Sequence, residues 1–126
     1  MNRITELKPD EVFVFGSNLL GHHAGGAARD AVELFGAENG ASEGLTGQCC
    51  AIPTLDAQFQ KRPLQHVQAS VALFFHAARL YAEKTFIITP IGCGIAGFKT
   101  EQIAQFFKNA PANCRLPEEF AAHLNR

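Results

Sequence analysis

The sequence predicts a single α/β domain over residues 1–126, with a mixed and mostly parallel sheet between layers of helices. Short apolar runs alternate along the chain with amphipathic helical segments, as they do in folds with parallel strands. Two of these runs lead directly into a glycine-rich loop and then into a helix. A chain of 126 residues with no repeat or linker leaves little room for a second domain.

The first half of the chain predicts two strands and one helix. Residues 12–15 form a β-branched and aromatic run that is typical of a buried strand. Residues 27–35 carry apolar side chains at helical spacing, and Gly36 stands where a glycine would end that helix. The polar residues 38–47 predict a surface loop, and residues 49–54 predict a strand that Pro53 ends early.

The second half predicts a long helix, two strands and two shorter helices. Residues 65–83 carry the clearest helical stripe: Val67, Val71, Phe74, Phe75, Ala78 and Ala82. Residues 85–89 are continuously apolar, which indicates a strand covered on both faces. Thr100 is expected to cap the next helix, residues 115–116 to add an edge strand, and Pro117 to open a terminal helix.

Composition and charge exclude several classes of protein. With 47% hydrophobic and 18% charged residues the chain is an ordinary globular one, and its net charge of -1 with scattered basic residues does not favour direct nucleic-acid binding. The amino-terminal segment does not resemble a signal peptide, and no apolar run could span a bilayer. The four cysteines, including the adjacent Cys49 and Cys50, are expected to be reduced thiols in a cytoplasmic protein.

Two glycine-rich loops carry the functional prediction. Ligands of open α/β sheets bind at the carboxyl ends of strands, where such loops converge. Glycines allow backbone N–H groups to approach a ligand, and a helix N-terminus adds a positive dipole end, so the combination predicts a phosphate site. The predicted contacts are Gly16, Ser17, Asn18, Gly21, His22, Gly25, Gly26 and Ala27 in the first loop, and Gly92, Cys93, Gly94, Ile95, Ala96, Gly97 and Phe98 in the second.

The two loops also allow a purely structural interpretation. Glycine loops can exist only to make tight turns, and one loop alone would be weak support for a ligand site. The sequence lacks the lysine signature of a P-loop and the GxGxxG fingerprint, so the standard mononucleotide and dinucleotide folds are not expected.

Residues 12–35 resemble the signature of macro domains, in which a strand ends in an Ala-Asn pair and leads into a glycine cluster and a helix. Asn18 stands at the family's ligand-contacting asparagine, and residues 25–28 match the end of its glycine run. Residues 89–98 resemble the family's second phosphate loop, Pro-x-x-Ser-Thr-Gly-Ile-Tyr-Gly-Phe. The resemblance covers most of the chain and implies a three-layer α/β/α macro-domain-like fold.

The resemblance also implies a cleft for ADP-ribose. In macro domains both loops cradle the diphosphate, and some members hydrolyse ADP-ribosyl bonds whereas others only bind. Asn18, Gly25 and Gly26 would then hold the distal ribose and a nearby phosphate, and Phe98 would lie near the distal ribose. The residues that would hold the diphosphate are Gly92, Cys93, Gly94, Ile95 and Gly97. Arg3 stands where the family has an adenine-recognising aspartate.

Catalytic groups are fewer. By the same resemblance, Asn18 is the candidate catalytic residue, orienting the distal ribose or a water molecule. His22 and His23 are candidates for an acid or base near neutral pH, or else exposed loop residues. Cys93 is either a nucleophile whose pKa free amides lower, or a small residue that fits. No third ligand stands at metal-site spacing from the histidines, so neither a metal nor a cofactor is predicted.

Three hypotheses follow for the function. The first is a macro-like domain that binds ADP-ribose, or an ADP-ribosylated protein, and hydrolyses an ADP-ribosyl bond. The second is a non-catalytic sensor of nucleotide metabolites that uses the same loops. The third is a protein-interaction module whose glycines only turn the chain, and it predicts no saturable nucleotide binding. No membrane partner is expected, and the oligomeric state is not predicted.

Overall fold

A computed structural model describes residues 1–124 of the chain. The described part contains five strands: β1 (Glu11–Asn18), β2 (Gly44–Thr46), β3 (Cys49–Leu55), β4 (Thr85–Ile88) and β5 (Cys114–Arg115). It contains four α-helices: α1 (Gly26–Phe35), α2 (Leu64–Leu80), α3 (Thr100–Ala104) and α4 (Glu118–Leu124). A 3₁₀ turn, Gln105–Phe107, follows α3 directly.

All five strands form one sheet in the order β2-β3-β1-β4-β5. The central strand β1 runs parallel to β3 on one side and to β4 on the other, and β5 runs parallel to β4. Only the edge strand β2 is antiparallel, and it pairs with β3. The predicted α/β class and the mixed, mostly parallel sheet are therefore confirmed. The carboxyl ends of β1, β3 and β4 lie together at one edge of the sheet.

Side chains of β1 alternate between two apolar clusters, one on each face of the sheet. Val12 and Val14 belong to a cluster that also takes in buried residues of α2, α3 and α4. Phe13 and Phe15 belong to the second cluster, together with Ala31 and other residues of α1. All four of these β1 side chains are at most 3% exposed. Burial on both faces explains why this strand is continuously apolar in the sequence.

The structure corrects the predicted elements at four places. Pro53 does not end the second strand early, because β3 continues to Leu55 and Pro53 lies beyond the residues that pair with β2. Residues 38–47 are not entirely a surface loop, because β2 forms there by backbone pairing with β3. Ala82 does not belong to the buried stripe, since α2 ends at Leu80 and Ala82 is exposed. Thr100 is not a cap but the first residue of α3. The predicted stop of α1 is confirmed, because Gly36 follows it with a left-handed φ of 79°.

The burial of the cysteines and the lengths of the helices bear on the sequence prediction of reduced thiols and no membrane span. Cys49, Cys50 and Cys93 are free thiols, and burial raises the pKa of Cys49 and of Cys50 to about 12. Both thiols are therefore neutral packing groups, and they lie in the two apolar clusters on opposite faces of the sheet. Within residues 1–124, no helix has the length and apolar character needed to cross a membrane.

Candidate functional site

The two glycine loops meet in one cleft of about 400 Å³. The first loop leaves the carboxyl end of β1 and the second leaves the carboxyl end of β4, and these strands are parallel neighbours. The end of β3 closes the cleft beside them. The pairing of β1 with β3 is irregular between Ser17 and Asn18. Such irregularities are common next to binding sites, where they change the direction of a side chain. The topology thus brings together loops that are far apart in sequence.

Most of the predicted contact residues line this cleft. Those of the first loop are Gly16, Ser17, Asn18, His22, Gly25, Gly26 and Ala27, and those of the second are Gly92, Gly94, Ile95 and Ala96. The predicted contacts Gly21, Cys93, Gly97 and Phe98 are not among the lining residues.

The orientation of Phe98 explains why it does not line the cleft. Its side chain is 7% exposed and packs in the apolar cluster beneath α2 and α3. The ammonium of Lys61 lies 5.3 Å from the centre of its ring. Phe98 is thus a core residue covered by a lysine, and Gly97 lies beside the same lysine side chain.

Gly21 and Cys93 also serve the shape of their loops. The carbonyl of Gly21 accepts a hydrogen bond of 2.8 Å from the backbone N–H of Gly40, which joins two loops. The thiol of Cys93 donates to the carbonyl of Ile91 at 3.4 Å. Burial raises the pKa of Cys93, which favours the interpretation of Cys93 as a small residue that fits its loop over that of an activated thiol.

The N-terminus of α1 faces this cleft without a cap. Gly25 precedes the helix in an extended conformation, no side chain caps it, and the first turn has no acidic residue. Gly26, Ala27 and Ala28 all line the cleft. Since the first N–H groups of a helix have no partner within the helix, these three are available to an anion, and the helix dipole favours negative charge there.

The second loop offers a further set of backbone donors. Its internal hydrogen bonds use the N–H groups of Cys93, Gly97 and Phe98, at 3.3, 3.0 and 2.8 Å from their carbonyl acceptors. In the described part of the chain, the N–H groups of the intervening residues 94–96 make no backbone hydrogen bond of this kind. Gly94, Ile95 and Ala96 line the cleft, so two groups of free amides share one cavity.

Asn18 holds the first loop in shape. Its Nδ2 donates to the carbonyl of His22 at 2.9 Å, and its Oδ1 accepts from the N–H of His22 at 3.0 Å. The side chain is 8% exposed. Both ends of the amide are therefore engaged by the loop backbone, which makes Asn18 a positioning residue in this structure.

The two histidines of the first loop have different surroundings. His22 is exposed and lines the cleft. His23 is not an exposed loop residue, since it is 4% exposed and its Nε2 lies 3.0 Å from the carbonyl of Ala41. A carbonyl only accepts, so Nε2 carries the proton. The ring packs edge-on against Phe15 with centroids 5.1 Å apart, which places His23 under the loop and outside the cleft lining.

Comparisons with models of known protein families, with curated proteins and with solved structures found no match in any of the three.

Several lining residues were not among the individual contacts predicted from the sequence. They are Ala24, Ala28, Thr54, Leu55, Phe59, Thr89, Pro90 and Ile91. Thr89 Oγ1 donates a hydrogen bond to the carbonyl of Val14 at 2.8 Å. Thr54 Oγ1 donates to the carbonyl of Ser17 at 3.4 Å. Each threonine thus links the end of its own strand to β1. The end of the second predicted strand was a usable signal for Thr54 and Leu55. No local signal marked Phe59.

A second cavity of about 300 Å³ adjoins the cleft. Both are lined by Gly26, Ala27, Thr89 and Pro90, so the two cavities are neighbours. Arg3 lines the second cavity and makes two hydrogen bonds to the Asp30 carboxylate, of 3.0 and 2.8 Å. The hydrogen bond from Arg3 lowers the pKa of Asp30, so this carboxylate is ionised at neutral pH.

The cleft itself carries no fixed side-chain charge. None of its described lining residues is Lys, Arg, Asp or Glu, and His22 is the one histidine among them. Within residues 1–124, no three His, Cys, Asp or Glu side chains cluster in a way that would hold a metal ion. A bound anion would therefore be met by backbone N–H groups and by the dipole of α1.

Proposed function

We propose that this cleft binds ADP-ribose or a closely related phosphate-bearing nucleotide, in a domain with a macro-domain-like arrangement of layers. The observation that carries the proposal is the meeting of two sets of free backbone amides in one cavity. One set opens α1 at Gly26, and the other lies between Gly94 and Ala96. Two such sets suit a diphosphate better than a single phosphate.

The dimensions of the cleft support a ligand of nucleotide size. Ligand cavities in proteins generally have volumes of about 300–1,000 Å³. The main cleft measures about 400 Å³ and adjoins the second cavity of about 300 Å³. A nucleotide whose phosphates lie at the amides can extend in two directions, toward the Arg3–Asp30 pair and toward Phe59.

The lining favours a binding protein over a hydrolase. General acid–base catalysis requires a titratable side chain within reach of the reacting atoms. His22 is the one such group among the described lining residues, and the amide of Asn18 is engaged by the loop backbone. The proposed role is therefore to bind ADP-ribose, either free or attached to a protein, without hydrolysing it.

The test is calorimetric titration with ADP-ribose of the wild-type protein and the Gly25→Val variant. A Cβ at position 25 would stand 3.8 Å from the Cδ1 of Ile95, so the valine would fill the gap between the two loops. We expect affinity to fall at least about tenfold, while the free energy of unfolding falls by about 1 kcal/mol because a glycine N-cap is lost.

The exposed Ala112→Val variant is the matched control, and it should bind as the wild type does. Wild-type affinity in Gly25→Val would contradict the proposed site. Incubation with an ADP-ribosylated protein separates the reader from the hydrolase, because catalytic release of ADP-ribose would exclude a purely binding role.

A further inference from the structure

Phe59 is an aromatic residue in the lining of the cleft that stands at its mouth. It is 48% exposed although it is a large apolar side chain. The closest ring is that of His22, at a centroid distance of 6.3 Å and an interplanar angle of 64°. Phe59 comes from the loop after β3 and His22 from the loop after β1, so the two rings belong to different loops.

The turn that carries Phe59 is rigidly built. The Asp56 carboxylate accepts hydrogen bonds of 2.9 Å from the backbone N–H groups of Gln58 and Gln60. The N–H of Asp56 donates to the carbonyl of Gln60 at 2.8 Å, and Leu55 pairs with Lys61 across the base of the turn. These contacts hold the backbone of the turn at Phe59, whose side chain is half exposed.

The backbone at Phe59 is strained. Its φ is 61°, a left-handed value that no other non-glycine residue among residues 1–124 adopts. Bulky residues rarely adopt this conformation, and residues that do so cluster at ligand clamps and other functional positions. A glycine would relieve the strain at position 59, yet the chain carries a half-exposed phenylalanine there.

We propose that Phe59, with His22 beside it, is a stacking subsite for a planar heteroaromatic ring of the bound nucleotide. The inference rests on the proposed function, since the ring is carried by a ligand whose phosphates occupy the loop amides. The Arg3–Asp30 ion pair lines the adjoining cavity and not the main cleft, whereas Phe59 offers aromatic and apolar surface within the main cleft. A flat, weakly polar group suits this surface, because the face of a heteroaromatic ring can stack on the ring of Phe59.

Two parts of a nucleotide can supply such a ring. One is the adenine base, which ADP-ribose and NAD both carry. The other is a ring attached to the distal ribose, such as the nicotinamide of NAD, which ADP-ribose lacks. The two ligands therefore distinguish the sources, and ribose 5-phosphate serves as a probe with no ring at all.

The experiment is titration of the wild type, Phe59→Gly, Phe59→Tyr and Leu20→Ala with ADP-ribose, NAD and ribose 5-phosphate. Loss of a stacking ring should weaken ring-bearing ligands between about fivefold and about 150-fold. We expect this loss in Phe59→Gly and its recovery in Phe59→Tyr. The affinity for ribose 5-phosphate should not change. Leu20, which is 54% exposed and does not line the cleft, is the matched control for an apolar side chain lost from a neighbouring loop.

The outcomes separate the stacking subsite from the cleft itself. Weakened binding of both ADP-ribose and NAD assigns the subsite to adenine, and weakened binding of NAD alone assigns it to the ring on the distal ribose. If Phe59→Gly binds both ligands as the wild type does, or if Phe59→Tyr restores nothing, the stacking subsite is wrong while the cleft stands. If the wild type binds none of the three ligands, the cleft fails and the subsite fails with it. The melting temperature of Phe59→Gly should be at or above that of the wild type, because glycine relieves the strain.

Discussion

At the scale of single residues, the Arg3–Asp30 pair joins the amino-terminal segment to α1 beside the second cavity. Arg3 is 64% exposed and Asp30 is 17% exposed, so solvent screens their attraction. The hydrogen bond from Arg3 lowers the pKa of Asp30 in the folded state. The contribution of the ion pair to stability is therefore fully present above the pKa of Asp30 in the unfolded state, about 3.9. It is lost as the pH falls through the lower pKa of Asp30 in the folded state.

This sign gives a pH-dependent prediction for Asp30→Asn. At about pH 7 the substitution should lower the free energy of unfolding by less than about 1 kcal/mol, and at about pH 2 the difference should be smaller. Urea unfolding at the two pH values measures it. Glu33→Gln, in the more exposed pair Arg29–Glu33, is the control and should have a smaller effect. A difference that grows toward acid pH would contradict the assigned role of Arg3.

Residue roles were predictable only where the local sequence determines them. Gly25, Gly26 and Gly94 were predicted as cleft residues because glycine-rich loops after strands are a local pattern. Whether the side chains of Phe98 and His23 point into the core or into the cleft depends on the residues that pack around them. Those residues are distant in sequence, so no local pattern predicts the orientation.

At the scale of elements, α1 connects the cleft to the sheet edge. Its N-terminus opens on the cleft, and its C-terminus contacts the turn between β2 and β3, where the N–H of Gln48 donates to the carbonyl of Phe35 at 2.9 Å. Gly47 lies in that turn with a φ of 55°, and a Cβ there would clash with the carbonyl group of Gly36 and stand 2.8 Å from the carbonyl oxygen of Phe35. The close packing of this turn against the C-terminus of α1 anchors the helix that carries the proposed anion site.

The anchor predicts a large effect of Gly47→Ala. The variant should lose about 2 kcal/mol more free energy of unfolding than Gly44→Ala, measured by urea denaturation. Gly44 has a similar positive φ of 93° but has no atom within 4 Å of the Cβ position, so its substitution reports backbone strain alone. Equal losses in the two variants would show that α1 does not depend on this contact.

Most elements were predicted, because long periodic or continuously apolar segments carry their own signal. The strands around residues 12–15, 49–54 and 85–89, and the helix within residues 65–83, are confirmed with shifted ends. The strand β2 was missed, since its three residues carry no alternation and are defined by their pairing with β3.

At the scale of the whole molecule, the order of strands makes the site. The placement of β1 between β3 and β4 brings three carboxyl ends together, and two glycine loops about 70 residues apart in sequence then face one cavity. The sequence predicted that strands and helices alternate, but it did not predict which strands are neighbours. Strand order depends on long-range pairing between residues that no local pattern connects.

The most direct test of the proposed cleft is a ¹H–¹⁵N NMR titration of the labelled protein with ADP-ribose. We expect saturable shifts of the backbone amides of residues 26–28 and 94–96, because the phosphates would lie at these two sets of donors. Amides on the exposed face of α2, around Leu73, should not move. No saturable shift in either loop, or shifts confined to α2, would contradict the claim that the two loops form a nucleotide site.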